Sequence, residues 1–157
     1  MSVIVDTIVG GSSGSMDLAA WANFELTLDI LADASSDVAS NPSAYTAILN
    51  KTVTASVNGE SIEYEIVDLA RYTKVSGGTA GFVLMPKVQL TTTHAMNSSN
   101  TTTGGWGSCS MRTWLNGLSR PSQAVQVKVP YVDGTGTSVS YSNDYLFLPS
   151  YGDLFGK

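Results

Sequence analysis

Apolar positions along the chain come in short runs separated by long Ser-, Thr-, Gly- and Asn-rich intervals. The first run, Ser2-Val3-Ile4-Val5-Asp6-Thr7-Ile8-Val9, has strand composition, and Gly10-Gly11-Ser12-Ser13-Gly14-Ser15 after it has the composition of a hinge. Residues 1–15 are therefore expected to form an N-terminal arm whose apolar surface is Val3, Ile4, Val5, Ile8 and Val9, ahead of a single domain at 16–157. A β-prone strip with no partner of its own pairs with the body of its fold or adds a strand to a neighbour's sheet edge.

From Ser15 or Asp17 the spacing becomes helical, with Leu18, Trp21, Glu25, Leu28 and Ala32 in one stripe and Phe24 and Leu31 beside it. The helix is predicted to end near Ala34, and its face at Trp21 and Phe24 is the expected contact between copies. A polar connection, Ser35 to Asn41, leads to Pro42, which suits the first position of a second helix through Tyr45, Ile48 and Leu49. Alternating residues at 52–57 and 61–67 flank Asn58-Gly59, the signature of a two-residue hairpin, with Ile62, Tyr64 and Ile66 on one face and Glu63 and Glu65 on the other. A further strand is expected over Gly81–Pro86.

Residues 91–105 are too polar and irregular for either period and read as an ordered loop. A helix follows, for which Ser108 is the expected N-cap, with Met111, Leu115 and Leu118 on one stripe and Trp114 adjacent. Val125, Val127 and Val129, the turn Asp133-Gly134-Thr135-Gly136, and then Val139 and Tyr141 predict a second hairpin. Tyr145–Ser150 reads as a buried apolar strand, and Ser150–Phe155 as a closing turn or helix. The fold class these elements predict is α+β: small antiparallel hairpins packed with two or three short helices, preceded by an extended arm.

Composition narrows the function. Only 13% of the 157 residues are charged, against about 25% in an average soluble domain, so the surface is covered by hydroxyl and amide side chains, which suits packed assemblies or external surfaces. The net charge of −5 and the lack of any basic cluster argue against a nucleic-acid partner. Charge is divided unevenly: residues 1–70 carry ten acids against one base, and residues 71–157 carry seven bases against three acids. No run of about 18 apolar residues is present, so no membrane partner is expected.

Catalysis is poorly supplied, because the chain has one His and one Cys and a nucleophile needs a base and an orienting group beside it. His94 and Cys109 flank the polar loop without any local signature, and no Gly-x-Ser-x-Gly elbow occurs. Asp133-Gly134-Thr135-Gly136 lacks the further acids of a calcium loop, and the Gly77-Gly78 and Gly104-Gly105 pairs lack the Lys of a phosphate cradle. No enzyme, metal or cofactor is expected.

One constellation remains: Met96-Asn97, Asn100-Thr101, Gly104-Gly105-Trp106, Ser108, Met111-Arg112 and Trp114-Leu115-Asn116, then Asp144-Tyr145-Leu146-Phe147-Leu148-Pro149-Ser150. It resembles the two conserved blocks of an uncharacterised domain family of Firmicutes and their phages, and the resemblance covers about residues 50–156. Relatives carry an acidic, His-containing segment after the central strand, where this chain keeps only Asp68, and close the last motif with an acid, for which Asp153 is the nearest candidate. The resemblance implies a compact α+β domain akin to C-type-lectin-like virion domains, and residence in phage structural modules.

Two physical readings of the constellation stand side by side. In the first, Arg112 reaches a carboxylate, Asp144 or Asp68, and pins loop to helix by a bidentate bond while Trp106 and Trp114 fill the core. In the second, Trp106 stacks on a sugar while Asn97, Asn100 and Asn116 give directional bonds. The expected function is a virion structural protein on the capsid or tail exterior, made in the bacterial host cytoplasm and assembling with other virion proteins and copies of itself through its arm. The alternative is a carbohydrate-binding host-surface adhesin using the 91–106 loop.

Overall fold

Thr27 is the last extended residue before helix α1 (Leu28–Ser40), and its hydroxyl accepts the Ile30 N–H at 3.3 Å, supplying one partner that the first turn lacks. Helix α1 buries Leu31, Ala34 and Val38, three positions of one face at helical spacing. These are details of a computed structural model that describes residues 25–133, 136 and 138–149. The arm with Val3, Ile4, Val5, Ile8 and Val9, the proposed contact at Trp21 and Phe24, the helix start at Ser15 or Asp17 and the closing turn at 150–155 lie outside the described residues.

The helix prediction needs correcting at both ends. The predicted stripe through Glu25 and Leu28 is broken: residues 25–27 are not helical, Thr27 is extended, and the helix begins at Leu28 because the Thr27 hydroxyl caps it there. Helix α1 continues through Ser35 and Ser36 to Ser40 instead of ending near Ala34, and Ala32 is exposed. Its register is set by the Thr27 cap and by burial of Ala34 and Val38, which outweigh the modest helix propensity of the intervening serines. Pro42 opens a 3₁₀ helix, Pro42–Ile48, that buries Tyr45 and Ile48.

Strands β1 (Thr52–Val57), β2 (Glu60–Leu69) and β3 (Phe82–Pro86) form an antiparallel sheet in the order β1-β2-β3. Asn58 (φ 54°) and Gly59 (φ 78°) both adopt the left-handed conformation of a primed hairpin turn, which fixes the Val53–Tyr64 and Ala55–Ile62 pairs. Val53, Ala55, Val57, Ile62, Tyr64 and Ile66 consequently share one buried face, on which α1, the 3₁₀ helix, Leu115 and Leu118 close the core. On the other face Lys87 bonds Glu63 at 3.2 Å. A bulge between Ile66 and Asp68 shifts the β2–β3 register. Helix α1 crosses close to the start of β3: the Gly81 N–H donates to Ser35 Oγ at 3.0 Å, and a Cβ on Gly81 would lie 2.7 Å from the Ser35 backbone.

The second hairpin, β4 (Val127–Val132) and β5 (Val139–Asp144), is a separate two-stranded sheet. It is fastened to the rest of the fold where Lys128 N–H donates to Thr73 O and Val75 N–H to Gln126 O, each at 2.9 Å. Val127 and Val129 turn inward to meet Tyr72 and Ala80, and Phe147 meets Tyr72 edge-on with centroids 5.1 Å apart. On β5, however, the apolar residues point outward: Val139 and Tyr141 are 62% and 65% exposed, whereas Ser142 and Asp144 are buried. Val125 precedes the strand and is exposed. Residues Tyr145–Pro149 are not a strand; Tyr145, Leu146 and Phe147 are half-buried and Leu148 and Pro149 exposed, because the backbone here is held by side chains of the facing helix, described next. The chain is thus α+β, as its pattern predicts.

Candidate functional site

Gly104 (φ 76°) and Gly105 (φ 54°) turn the polar loop into a single helical turn, α2 (Gly105–Ser108), followed after Cys109 by helix α3 (Ser110–Gly117). A Cβ on Gly105 would lie 2.3 Å from the Val132 carbonyl oxygen, so the glycine is what lets α2 approach β4. Ser108 does not cap the following helix: it is the last residue of α2, and Cys109 occupies the N-cap position without a side-chain bond. The free N–H groups of α3 are satisfied from the loop instead. Asn97 Oδ1 accepts from Ser110 N–H (3.1 Å), and the Met96 carbonyl accepts from Met111 N–H (3.1 Å), from Ser110 Oγ (3.0 Å) and from the Cys109 thiol (2.8 Å). Asn97 Nδ2 then donates to Thr101 O at 2.8 Å, which folds the loop on itself.

Helix α3 aims Arg112 and Asn116, one turn apart, at the last residue of β5. There Asp144, fully buried, takes four donors: Arg112 Nε (2.7 Å) and Asn116 Nδ2 (3.1 Å) on one oxygen, and Trp106 Nε1 (2.8 Å) and Ser142 Oγ (2.5 Å) on the other. Arg112 reaches Asp144 as expected, but through one nitrogen instead of two. Its remaining donors go to the carbonyls of Gly107 (3.4 Å) and Asn143 (3.2 Å), the second of which also accepts from Gln126 Nε2 at 3.1 Å. Asp68 is paired elsewhere, with Arg71 at 3.2 Å. Asn116 completes the clamp by donating to Leu146 O (3.0 Å) and accepting the Tyr145 N–H (2.8 Å). A carboxylate removed from water is tolerable only with such a donor set, and no buried side-chain nitrogen or oxygen among the described residues lacks a partner.

Of the residues singled out from sequence, Trp106, Arg112, Asn116 and Asp144 therefore converge, and Trp114 packs against the main core. Ser142 and the capping role of Asn97 were not foreseen; the Ser-x-Asp spacing, which puts both side chains on one face of a strand, is the available signal for the first. Asn100 is exposed, while the Asn97 amide and the Trp106 indole N–H are both engaged within the fold. His94 stacks on Trp114 with centroids 5.1 Å apart and planes 18° from parallel. Cys109 is buried with its thiol turned to Met96 O, and no hydrogen bond joins it to His94 among the described residues.

At the far end of α3 the Arg120 guanidinium lies 3.6 Å above the Tyr145 ring and donates to the Asn116 and Leu118 carbonyls (both 3.2 Å), closing the helix C-terminus. Leu118, Arg120 and Tyr145 border a shallow cleft of about 420 Å³ with Ser119, Pro121 and Ser122. Among the described residues no three His, Cys, Asp or Glu side chains are grouped as metal ligands, and no helix is long and apolar enough to cross a membrane. Comparison with family models, with curated proteins and with solved structures finds no match to this chain.

Proposed function

We propose that the protein is a bacteriophage virion structural protein, displayed on the capsid or tail exterior and assembling as a homo-oligomer through its N-terminal arm. The observation that carries this reading is the outward face of the second hairpin, where Pro130, Val132, Val139 and Tyr141 leave apolar surface exposed on an otherwise hydroxyl-rich exterior. The resemblance to the phage-associated family supports it, and so does the engagement of the residues that carry that resemblance, Trp106, Arg112, Asn116 and Asp144, within the fold. Light scattering on the full chain is expected to give a discrete oligomer, and deletion of residues 1–15 is expected to give monomers that no longer enter particles. A monomeric full chain, or undiminished incorporation of the deleted one, overturns the proposal.

A second reading, a carbohydrate-binding adhesin with a lectin-like fold, is favoured by the exposed hydroxyl and amide side chains of residues 98–103. Asn100 is its available contact. Binding on a glycan array that Asn100→Ala abolishes supports it, and silence of the unmodified chain counts against it.

A further inference from the structure

We infer that the outer edge of β5 is the acceptor for strand addition, and that its occupant is the Ser2–Val9 strip of a second copy of this chain. The inference rests on the proposed arm-mediated assembly and names the surface that assembly uses. The geometry begins at Lys128, whose N–H donates away from β5 to Thr73 O at 2.9 Å. Lys128 opposite Asn143 is therefore a pair without ladder hydrogen bonds, and strict alternation along an antiparallel ladder puts Pro130–Tyr141 and Val132–Val139 in the same class. The backbone N–H and C=O groups of Tyr141 and Val139 accordingly point away from β4. No described residue takes them up.

The opposite edge of the hairpin is not available in the same way. On β4 the Lys128 N–H is satisfied by Thr73, Pro130 has no N–H to offer, and α2 crosses the Val132 carbonyl at Gly105. Strand β5 has no Lys, no Pro and no bulge; it is closed only at its last two residues, where Asp144 points inward and the Asn143 carbonyl accepts from Arg112 (3.2 Å) and Gln126 (3.1 Å), so the open edge is Val139–Tyr141. An open backbone flanked by exposed Val139 and Tyr141 provides main-chain hydrogen bonds for affinity and apolar side chains for register.

The choice of occupant follows from the chain outside the described body. Residues 150–157, Ser-Tyr-Gly-Asp-Leu-Phe-Gly-Lys, have no alternating pattern, whereas Ser2–Val9 is a β-prone run with Val3, Val5 and Val9 on one side. Eight residues extend about 26 Å as a strand, more than enough to cover the open part of β5 from Val139 to Tyr141 at about 10 Å. Residues 10–16 span about 24 Å when extended and a helix over 17–24 adds about 12 Å, so a neighbouring body is within reach.

Pro130 shows how to test the edge without damaging the hairpin. Proline at position 141, directly across from it, removes no β4–β5 hydrogen bond but deletes one of the outward donors. Tyr141→Pro in the full chain is expected to weaken self-association about tenfold while leaving the circular dichroism spectrum and melting temperature close to those of the parent. Independently, a full chain carrying Val5→Cys mixed with one carrying Tyr141→Cys is expected to yield, on mild oxidation, a disulfide that joins the two variants. Cross-linking only within a single doubly substituted chain, and never between the two singly substituted ones, overturns the inference. If deletion of residues 1–15 abolishes association but Tyr141→Pro leaves it intact and the mixed variants do not cross-link, the edge assignment fails while arm-mediated assembly stands. Association that survives the deletion overturns both.

Discussion

The two hairpins are built from similar lengths of chain and are held by opposite means. In β1–β2 the inward face is wholly apolar, and the strands stay paired because separating them would return Val53, Ala55, Val57, Ile62, Tyr64 and Ile66 to water. In β4–β5 the second strand is inverted, with Ser142 and Asp144 inward and Val139 and Tyr141 outward. Strand β4 still buries Val127 and Val129 against Tyr72 and Ala80, but β5 is tied to the body by one buried carboxylate and its four donors. The first arrangement spreads its stability over many contacts and the second concentrates it at a point, which frees the outer surface of β5 for something other than the core.

The largest expected effect breaks that point. Asp144→Ala strips the acceptor from Arg112 Nε and from the Trp106 indole N–H, although Arg112 keeps the Gly107 and Asn143 carbonyls and Asn116 the Leu146 carbonyl, and removing one partner of a buried ion pair costs about 3–5 kcal/mol. The loss is expected to be regional, with faster amide hydrogen exchange in β4, β5 and α3 while β1 and β2 keep their protection. Ile66→Ala is the matching cut in the first hairpin. It removes a fully buried side chain at the centre of the main core, costs about 2–5 kcal/mol through the cavity, and is expected to raise exchange throughout. Similar profiles for the two variants would mean that the hairpins are not held differently.

The same contrast decides what was legible in the sequence. The first hairpin could be placed to the residue because its signals are local: an Asn-Gly turn and strict alternation around it. The second could be recognised as a hairpin, but not its orientation, since alternation of Val and Tyr with Ser is equally compatible with either face being buried and only the distant α3 decides. Asp144 was within reach of sequence reasoning because few acids occur in the basic half of the chain and Arg112 needs one. Its indole and hydroxyl partners, and the loop carbonyl and amide that replace Ser108 as the cap of α3, depend on where the 91–104 loop runs, and no periodicity encodes that. The pattern misses both ends of helix α1: a continuous stripe through Glu25 hides the break that Thr27 makes, and the serines at 35, 36 and 40 look like a connection until Ala34 and Val38 find a sheet to pack against.

A smaller effect sharpens the contrast from the loop side. Asn97→Ala removes the acceptor for the Ser110 N–H and the donor to Thr101 O, so α3 loses the side chain that caps its first turn. The cost expected is about 1 kcal/mol, read as a lower denaturation midpoint with an unchanged slope. Because α3 carries Arg112 and Asn116, a coupling should appear when Asn97→Ala is combined with Asp144→Ala, whereas Asn97→Ala and Ile66→Ala should add independently.

The smallest effect lies in the first hairpin and is visible only in alkali. Burial pushes the Tyr64 phenol above its ordinary value of 10.0, and the negative charge of Glu60 adds to the rise. Above pH 10 the unfolded chain therefore releases this proton before the folded one does. Bound protons are then more numerous in the native state, so stability falls with each further increase in pH until the raised folded value is passed; below pH 10 the contribution is fully present. Tyr64→Phe cannot ionise and removes this slope. Its stability curve should run parallel to that of the parent at neutral pH and converge with or cross it in alkali, as measured by urea unfolding at pH 8 to 11. An alkaline slope that persists undiminished in Tyr64→Phe would mean that the apolar interior of the first hairpin does not hold the Tyr64 proton, and with it would go the distinction between a strand pair kept by exclusion of water and one kept by a carboxylate.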